Sequence, residues 1–185
     1  MTLKTNRYWI IAGVLAALFA AAPVRADDAA RIKARALTDA AIQLTDSAQA
    51  VKMLWQATDI DPSSTEPYIY LGLYYNSRED FAKVVEVYQK LVKYRPNETS
   101  AYLNIGEAYM SFNPPRFNDA LPYYKKAYEL DPHNSFAALR IGEILARNGD
   151  RDQAIRYLKQ ASADATSNPA VAAEATRTIR EMAGF

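Results

Sequence analysis

"YKKAYELDP" fills residues 124–132, and two upstream stretches follow its plan: "WQATDIDP" at 55–62 and "QKLVKYRP" at 89–96. Each mixes apolar with charged residues and ends in proline. Pro62 and Pro96 lie 34 residues apart, and Pro96 and Pro132 lie 36 apart. A recurrence in this range marks a chain built of stacked supersecondary units.

Aligning the chain on these prolines brings further columns into register. The residues before each proline carry an apolar stripe at three- and four-residue spacing, the pattern of an amphipathic helix. The stripe reads Ala50, Leu54, Ala57, then Val84, Tyr88, Leu91, then Ala120, Tyr124, Ala127. A fourth copy, "QAIRYLKQA", gives Ala154, Leu158 and Ala161, with Thr166 where the proline would stand. A second helix precedes each of the last three. "YIYLGLYY" (68–75), "YLNIGEAY" (102–109) and "ALRIGEIL" (138–145) align Gly72, Gly106 and Gly142. A glycine inside a helix costs roughly 1 kcal/mol relative to alanine. Three in register imply that a neighbouring helix comes too close for a side chain. Polar turns, "YNSRED" and "RNGDRD", join the two helices of a unit, and Asn148-Gly149 is a helix stop. The third unit carries "SFNPPRFND" instead, two residues longer, which accounts for the spacing of 36. Pro114 and Pro115 break the helix there.

These columns resemble the tetratricopeptide repeat, whose pattern runs large residue, Leu-Gly, Tyr, then Ala, aromatic, Ala and Pro over 34 residues. The second unit matches with Tyr68, Leu71, Gly72, Tyr75, Tyr88 and Pro96. The third matches with Tyr102, Ile105, Gly106, Tyr109, Ala120, Tyr124, Ala127 and Pro132, and the fourth with Ile141, Gly142, Leu145, Ala154, Leu158 and Ala161. The first has Ala34, Leu37, Thr38 and Ala41 in the opening helix, with Thr38 in place of the glycine. The resemblance implies an all-α, right-handed superhelix of four helix-turn-helix repeats, 31–64, 65–98, 99–134 and 135–168, within residues 27–168. Helices are expected over 31–44, 47–60, 65–77, 79–94, 99–112, 117–130, 135–148, 151–164 and 169–183. The last, "NPAVAAEATRTIREM", starts with an Asn cap and a proline. Ala172, Ala175, Ile179 and Met182 share one face, and Glu174, Arg177 and Glu181 another. Residues 169–185 therefore read as the closing helix that a repeat array requires.

The first residues read differently. Lys4 and Arg7 precede the apolar run Trp9 to Ala22, 14 residues long, and Val24 and Ala26 stand before Asp27. A bilayer span needs roughly 20 residues. A basic start, a short apolar middle and small residues at the end make a cleavable secretory signal over residues 1–26, cut after Ala26. An uncleaved anchor is the competing reading. Losing Lys4, Arg7 and Arg25 from the 22 basic residues leaves 19 against 21 acidic ones. That balance offers no basic field for nucleic acid. The chain has no cysteine, so it has neither disulfides nor a thiol for lipid. An exported bacterial protein of the periplasm, touching a membrane only through a partner, is the expected setting.

Catalytic equipment is not evident. The single histidine, His133, sits in a turn after Pro132, no Cys accompanies it, and no nucleophile motif points to it. "DID" (59–61) reads as a solvated helix end, and "NGDRD" is too short for a calcium loop. The chain is read as non-catalytic, with no metal and no cofactor.

Stacked helix pairs curve around a concave face. In proteins resembling this one that face is lined by the first helix of each unit and takes a segment of a partner protein. Once the core columns are assigned, the residues left for it are Arg35 and Asp39 in the first unit and Tyr70 and Leu73 in the second. Asn104 and Glu107 follow in the third, and Phe136, Arg140, Glu143 and Arg147 in the fourth. Asn104 and Arg140 match two positions of the carboxylate clamp that some family members use. Ile69, Leu73 and Phe136 stand at others, so the full clamp is missing. The expected ligand is a mixed polar and apolar segment. It belongs to an envelope protein or assembly factor; alternatively it comes from the chain's own copies in a self-assembling subunit.

Overall fold

Aspartate and asparagine side chains set where four of the helices begin. In the computed structural model, which describes residues 26–163 and 168–184, Asp46 accepts from the backbone N–H of Ala48 (2.9 Å) and Gln49 (3.2 Å). Asp80 accepts from Lys83, Asn134 from Ala137 and Asn168 from Val171. Each cap satisfies a helix N–H that has no partner within its own helix.

Four helix pairs follow one another: α1 (Ala26–Ala41) with α2 (Ser47–Ile60), and α3 (Glu66–Asn76) with α4 (Phe81–Tyr94). Then come α5 (Thr99–Ser111) with α6 (Phe117–Leu130), α7 (Ser135–Arg147) with α8 (Arg151–Ala163), and the closing α9 (Pro169–Ala183). Each helix packs on its neighbours in sequence, and α9 lies against both α7 and α8. Among the described residues every regular element is helical, and the architecture is an all-α solenoid.

The repeated stripe is the core. Leu54, Ala57, Val84, Tyr88, Leu91, Ala120, Tyr124, Ala127, Ala154, Leu158 and Ala161 are all buried. Gly106 shows why its column needs glycine: a Cβ there would lie 2.7 Å from the Tyr124 ring. At Gly72 it would lie 2.5 Å from the Tyr88 hydroxyl oxygen, and at Gly142 2.6 Å from Leu158 Cγ. In the first unit the same position holds Thr38, fully buried, whose hydroxyl donates to the Ala34 carbonyl at 3.0 Å. The closing helix buries Val171, Ala172 and Ala175 and turns an ion-paired Glu174–Arg177–Glu181 ladder outward.

Helix α1 differs most from expectation. It is already helical at Ala26, not 31, because Ala26, Ala29 and Ala30 are the best helix formers and Asp27 and Asp28 suit the positive end of the dipole. It ends at Ala41, not 44, because Gln43 and Leu44 donate three residues back and tighten the last turn. Helix α4 starts at Phe81, not 79, because Glu79 is left-handed, with φ of 57°, and Asp80 then caps. The longer turn of the third unit is held by its own contacts. The Arg116 N–H bonds back to the Tyr109 carbonyl, and its guanidinium lies 5.0 Å from the Tyr109 ring centroid and pairs with Asp119 at 2.7 Å. The signal reading covers residues 1–26, of which only Ala26 is described, so it rests on the stretch 1–25, and Thr166 falls within 164–167. Both stretches lie outside the described residues.

Candidate functional site

Repeat arithmetic places two adjacent columns on the first helices of units two to four. One runs Tyr70, Asn104, Arg140; the other runs Leu73, Glu107, Glu143. Across each junction between units, a member of the second column faces the next member of the first. The two junctions so formed have opposite chemistry.

Between α5 and α7 the pair is Glu107 and Arg140. Arg140 Nε donates to Glu107 Oε1 at 3.0 Å and Nη2 donates to Oε2 at 3.2 Å, a two-pronged bond. Nη1 donates to Glu143 Oε2 at 3.0 Å, and the guanidinium carbon lies 4.9 Å from the Phe136 ring centroid. From beneath, the Tyr124 hydroxyl donates to Glu107 Oε1. Burial alone would lower the pKa of Arg140; the Glu107 and Glu143 carboxylates outweigh it and hold the guanidinium above its ordinary value. Burial, and then the bond to Glu107, raise the Tyr124 phenol. One guanidinium shared by two carboxylates leaves the cluster with a net negative charge.

Between α3 and α5 the same two positions hold Leu73 and Asn104, and no bridge forms. The Asn104 amide turns back to the Ser100 carbonyl at 2.8 Å. What remains is a cleft of about 250 Å³, walled by Leu73, Val84, Asn76, Asn104 and Glu107 with Tyr88 as its floor. Tyr88 is only 5% exposed, and its phenol is raised by burial. Its hydroxyl has no hydrogen-bond partner among the described residues, in contrast to that of Tyr124 in the next unit. Leu73 and Ile69 are 60% and 47% exposed on the rim of α3.

The remaining candidates lie elsewhere. Arg35 and Asp39 form a loose, exposed pair on α1 at 3.9 Å. Tyr70 is half-buried and packs against the core that runs through the first three units. Arg147 sits over the Phe117 ring of α6 at 4.2 Å, away from the Arg140 cluster. The structure thus joins Glu107, Phe136, Arg140 and Glu143 in one cluster and Leu73, Asn104 and Glu107 in one cleft. Tyr88 and Tyr124 complete both sites, although sequence reasoning assigns them to the core alone. Their position directly beneath the glycine column was the available signal. Among the described residues no three His, Cys, Asp or Glu side chains are grouped to hold a metal.

Two models described as Tetratricopeptide repeat match the chain, over residues 71–135 and 116–175, and together cover most of the described solenoid. The chain belongs to the tetratricopeptide repeat family. Among curated relatives, the BBSome complex member BBS4 of Bos taurus is 28% identical over 109 residues, 55% of this chain and 19% of that protein. The chain thus spans about a fifth of the length of that relative. Among solved structures, a MamA double mutant superposes with a TM-score of 0.59 at 18% identity, covering 74% of this repeat chain and 78% of the other. PcrH in complex with the chaperone binding region of PopD gives 0.58 at 20% identity, covering 64% and 90%. At these identities the superpositions establish the tetratricopeptide fold.

Proposed function

We propose that the protein is a non-catalytic interaction scaffold that holds a segment of a partner protein along the first helices of its repeats, in the bacterial periplasm. The observation that carries this is the cleft between α3 and α5, a concavity on the first-helix face lined by the exposed Leu73, with the exposed Ile69 one turn earlier on α3. Apolar side chains exposed beside a polar-rimmed cleft are what a partner segment can bury. Its relation to PcrH, which is named as a complex with a binding region of PopD, supports a segment as the ligand. The periplasmic setting is supported by the basic and apolar opening of the sequence and by the small residues Val24 and Ala26 that follow it. The test is a photo-crosslinking amino acid placed at Leu73 and, as control, at Lys125 on the outer helix α6, in the exported protein. A partner captured at Leu73 but not at Lys125 is the expected result. Equal capture at both, or capture at Lys125 alone, would move the site to the second helices.

The self-assembly reading draws on a separate feature. Ile32, Ile42 and Leu44 are exposed in and just after α1, in the first unit, where no earlier unit among the described residues covers them. Sedimentation across a concentration series decides it. A mass that stays monomeric up to high concentration rejects it.

A further inference from the structure

We infer that the cleft between α3 and α5 takes a basic side chain of the partner, an arginine above all, in place of one the protein does not supply there. The inference rests on the groove reading above and names its ligand.

The molecule carries its own template. One unit further on, the same position is filled from within. Arg140 lays its stem by Phe136 and delivers its guanidinium to Glu107 above Tyr124. In the cleft the tyrosine and the following carboxylate have counterparts, whereas Leu73 stands where the template has Glu107 and Ser100 where it has Phe136. Tyr88 stands for Tyr124, and Glu107 follows Asn104 by three residues as Glu143 follows Arg140. The residue that should reach across is shortened to Asn104, which folds back on its own helix, and the carboxylate left for a partner's cation is Glu107, in the place that Glu143 takes one unit on. Apolar walls from Leu73 and Val84 suit the methylene stem of a long basic side chain. The polar atoms there include the Tyr88 hydroxyl oxygen, the Asn76 and Asn104 side-chain carbonyls and the Glu107 carboxylate. All of these can accept from a guanidinium. The one ionisable carboxylate of the lining belongs to a cluster already short of a positive charge. A partner's carboxylate would be repelled there. The charge preference is therefore the reverse of a carboxylate clamp.

The test uses the isotope-labelled protein and blocked pentapeptides, Ala-Ala-X-Ala-Ala, with X as Arg, Lys, Leu or Glu, followed by backbone amide resonances. The Arg peptide should move the resonances of Leu73, Asn76, Asn104 and Glu107 saturably, with an affinity roughly tenfold above that of the Leu and Glu peptides, a factor one charge-assisted hydrogen bond supplies. Raising salt toward 1 M, where the Debye length falls to about 3 Å, should shrink that preference. Asn104→Arg should fill the cleft from within and abolish the response, with an unchanged helical spectrum. A Leu peptide that binds best at these resonances overturns the basic assignment and leaves the groove reading standing. Shifts elsewhere, or none with any peptide, overturn the inference as well. The groove reading is judged separately, by crosslinking at Leu73.

Discussion

The two junctions on the inner helices share a backbone plan and differ in the residues that build them: Leu73, Ser100 and Asn104 at one, Glu107, Phe136 and Arg140 at the other. Where units three and four meet, Glu107 and Arg140 weld the first helices together and tether the tyrosine below. Where units two and three meet, Leu73 and Asn104 leave a cleft and an untethered tyrosine. A repeat array is close to a sum of units and neighbour interfaces. Each interface can therefore be tuned by itself, one for rigidity and one for a ligand. The same scaffold position serves cohesion or recognition according to whether the opposite charge is built in or left out.

The largest expected effect comes from filling the glycine column on each side of this comparison. At Gly106 an added side chain meets the edge of the Tyr124 ring, held in place by Glu107. At Gly72 the nearest atom is the Tyr88 hydroxyl, at the end of a side chain beside an open cleft. Gly106→Leu should cost about 1–3 kcal/mol or more through overpacking. Gly72→Leu should cost less, because Tyr88 can yield into the cleft. Urea denaturation of both variants measures this. Equal midpoints would mean that Tyr124 is no more fixed than Tyr88, and the comparison would lose its mechanical content.

Next in size is the weld itself. Glu107→Leu copies the second unit into the third. It removes the two-pronged bond to Arg140 and the acceptor of the Tyr124 hydroxyl. Glu107 and Arg140 are part-exposed, with side chains 40% and 27% accessible, so solvent screens much of the attraction. A loss of roughly 1–2 kcal/mol follows from charge-assisted bonds discounted for that exposure. Thermal melts at low and high salt measure it. A variant as stable as the parent at low salt would show that the pair only orients Arg140.

The sequence makes the period, the glycine column and the second-helix stripe legible, because each is a local pattern repeated in register. Ala120, Tyr124 and Ala127 need only helical spacing to be placed. The weld was harder to see. Glu107 and Arg140 are 33 residues apart, three short of the 36-residue repeat at this junction, and only by laying the Leu73 column beside the Tyr70 column do they become neighbours. Read along single helices, Arg140 looks free to grip a partner, whereas its fork is already engaged within the chain. Tyr70 likewise falls outside the core columns, yet it leans on the core that runs through the first three units. Helix periodicity assigns a face and leaves open which neighbour a long side chain reaches. The two tyrosines under the columns were assigned only to packing, since nothing in a stripe says whether a hydroxyl finds an acceptor.

The smallest effect concerns the turns that join the helices of a unit, where the second and fourth units also part company. Gly149 is left-handed, with φ of 84°, and a side chain there would meet nothing within 4 Å. At the matching position of the second unit Glu79 adopts φ of 57°. A side chain in that region costs roughly 1–2 kcal/mol where only glycine is at ease. The turn accepts the strain because the Asp80 N–H bonds back to the Tyr75 carbonyl at 3.0 Å and Asp80 then caps α4. Glu79→Gly should relieve that strain at the expense of added freedom in the unfolded chain, which takes back part of the gain. A net stabilisation of about 0.5–1 kcal/mol is expected on those terms. The reciprocal change, Gly149→Glu, should destabilise by a similar amount with no packing contribution. A thermal melt in which Glu79→Gly lowers the midpoint would mean that the Glu79 side chain contributes more to the second unit than its backbone strain costs. The two turns would then be distinct solutions, not one turn written with and without glycine.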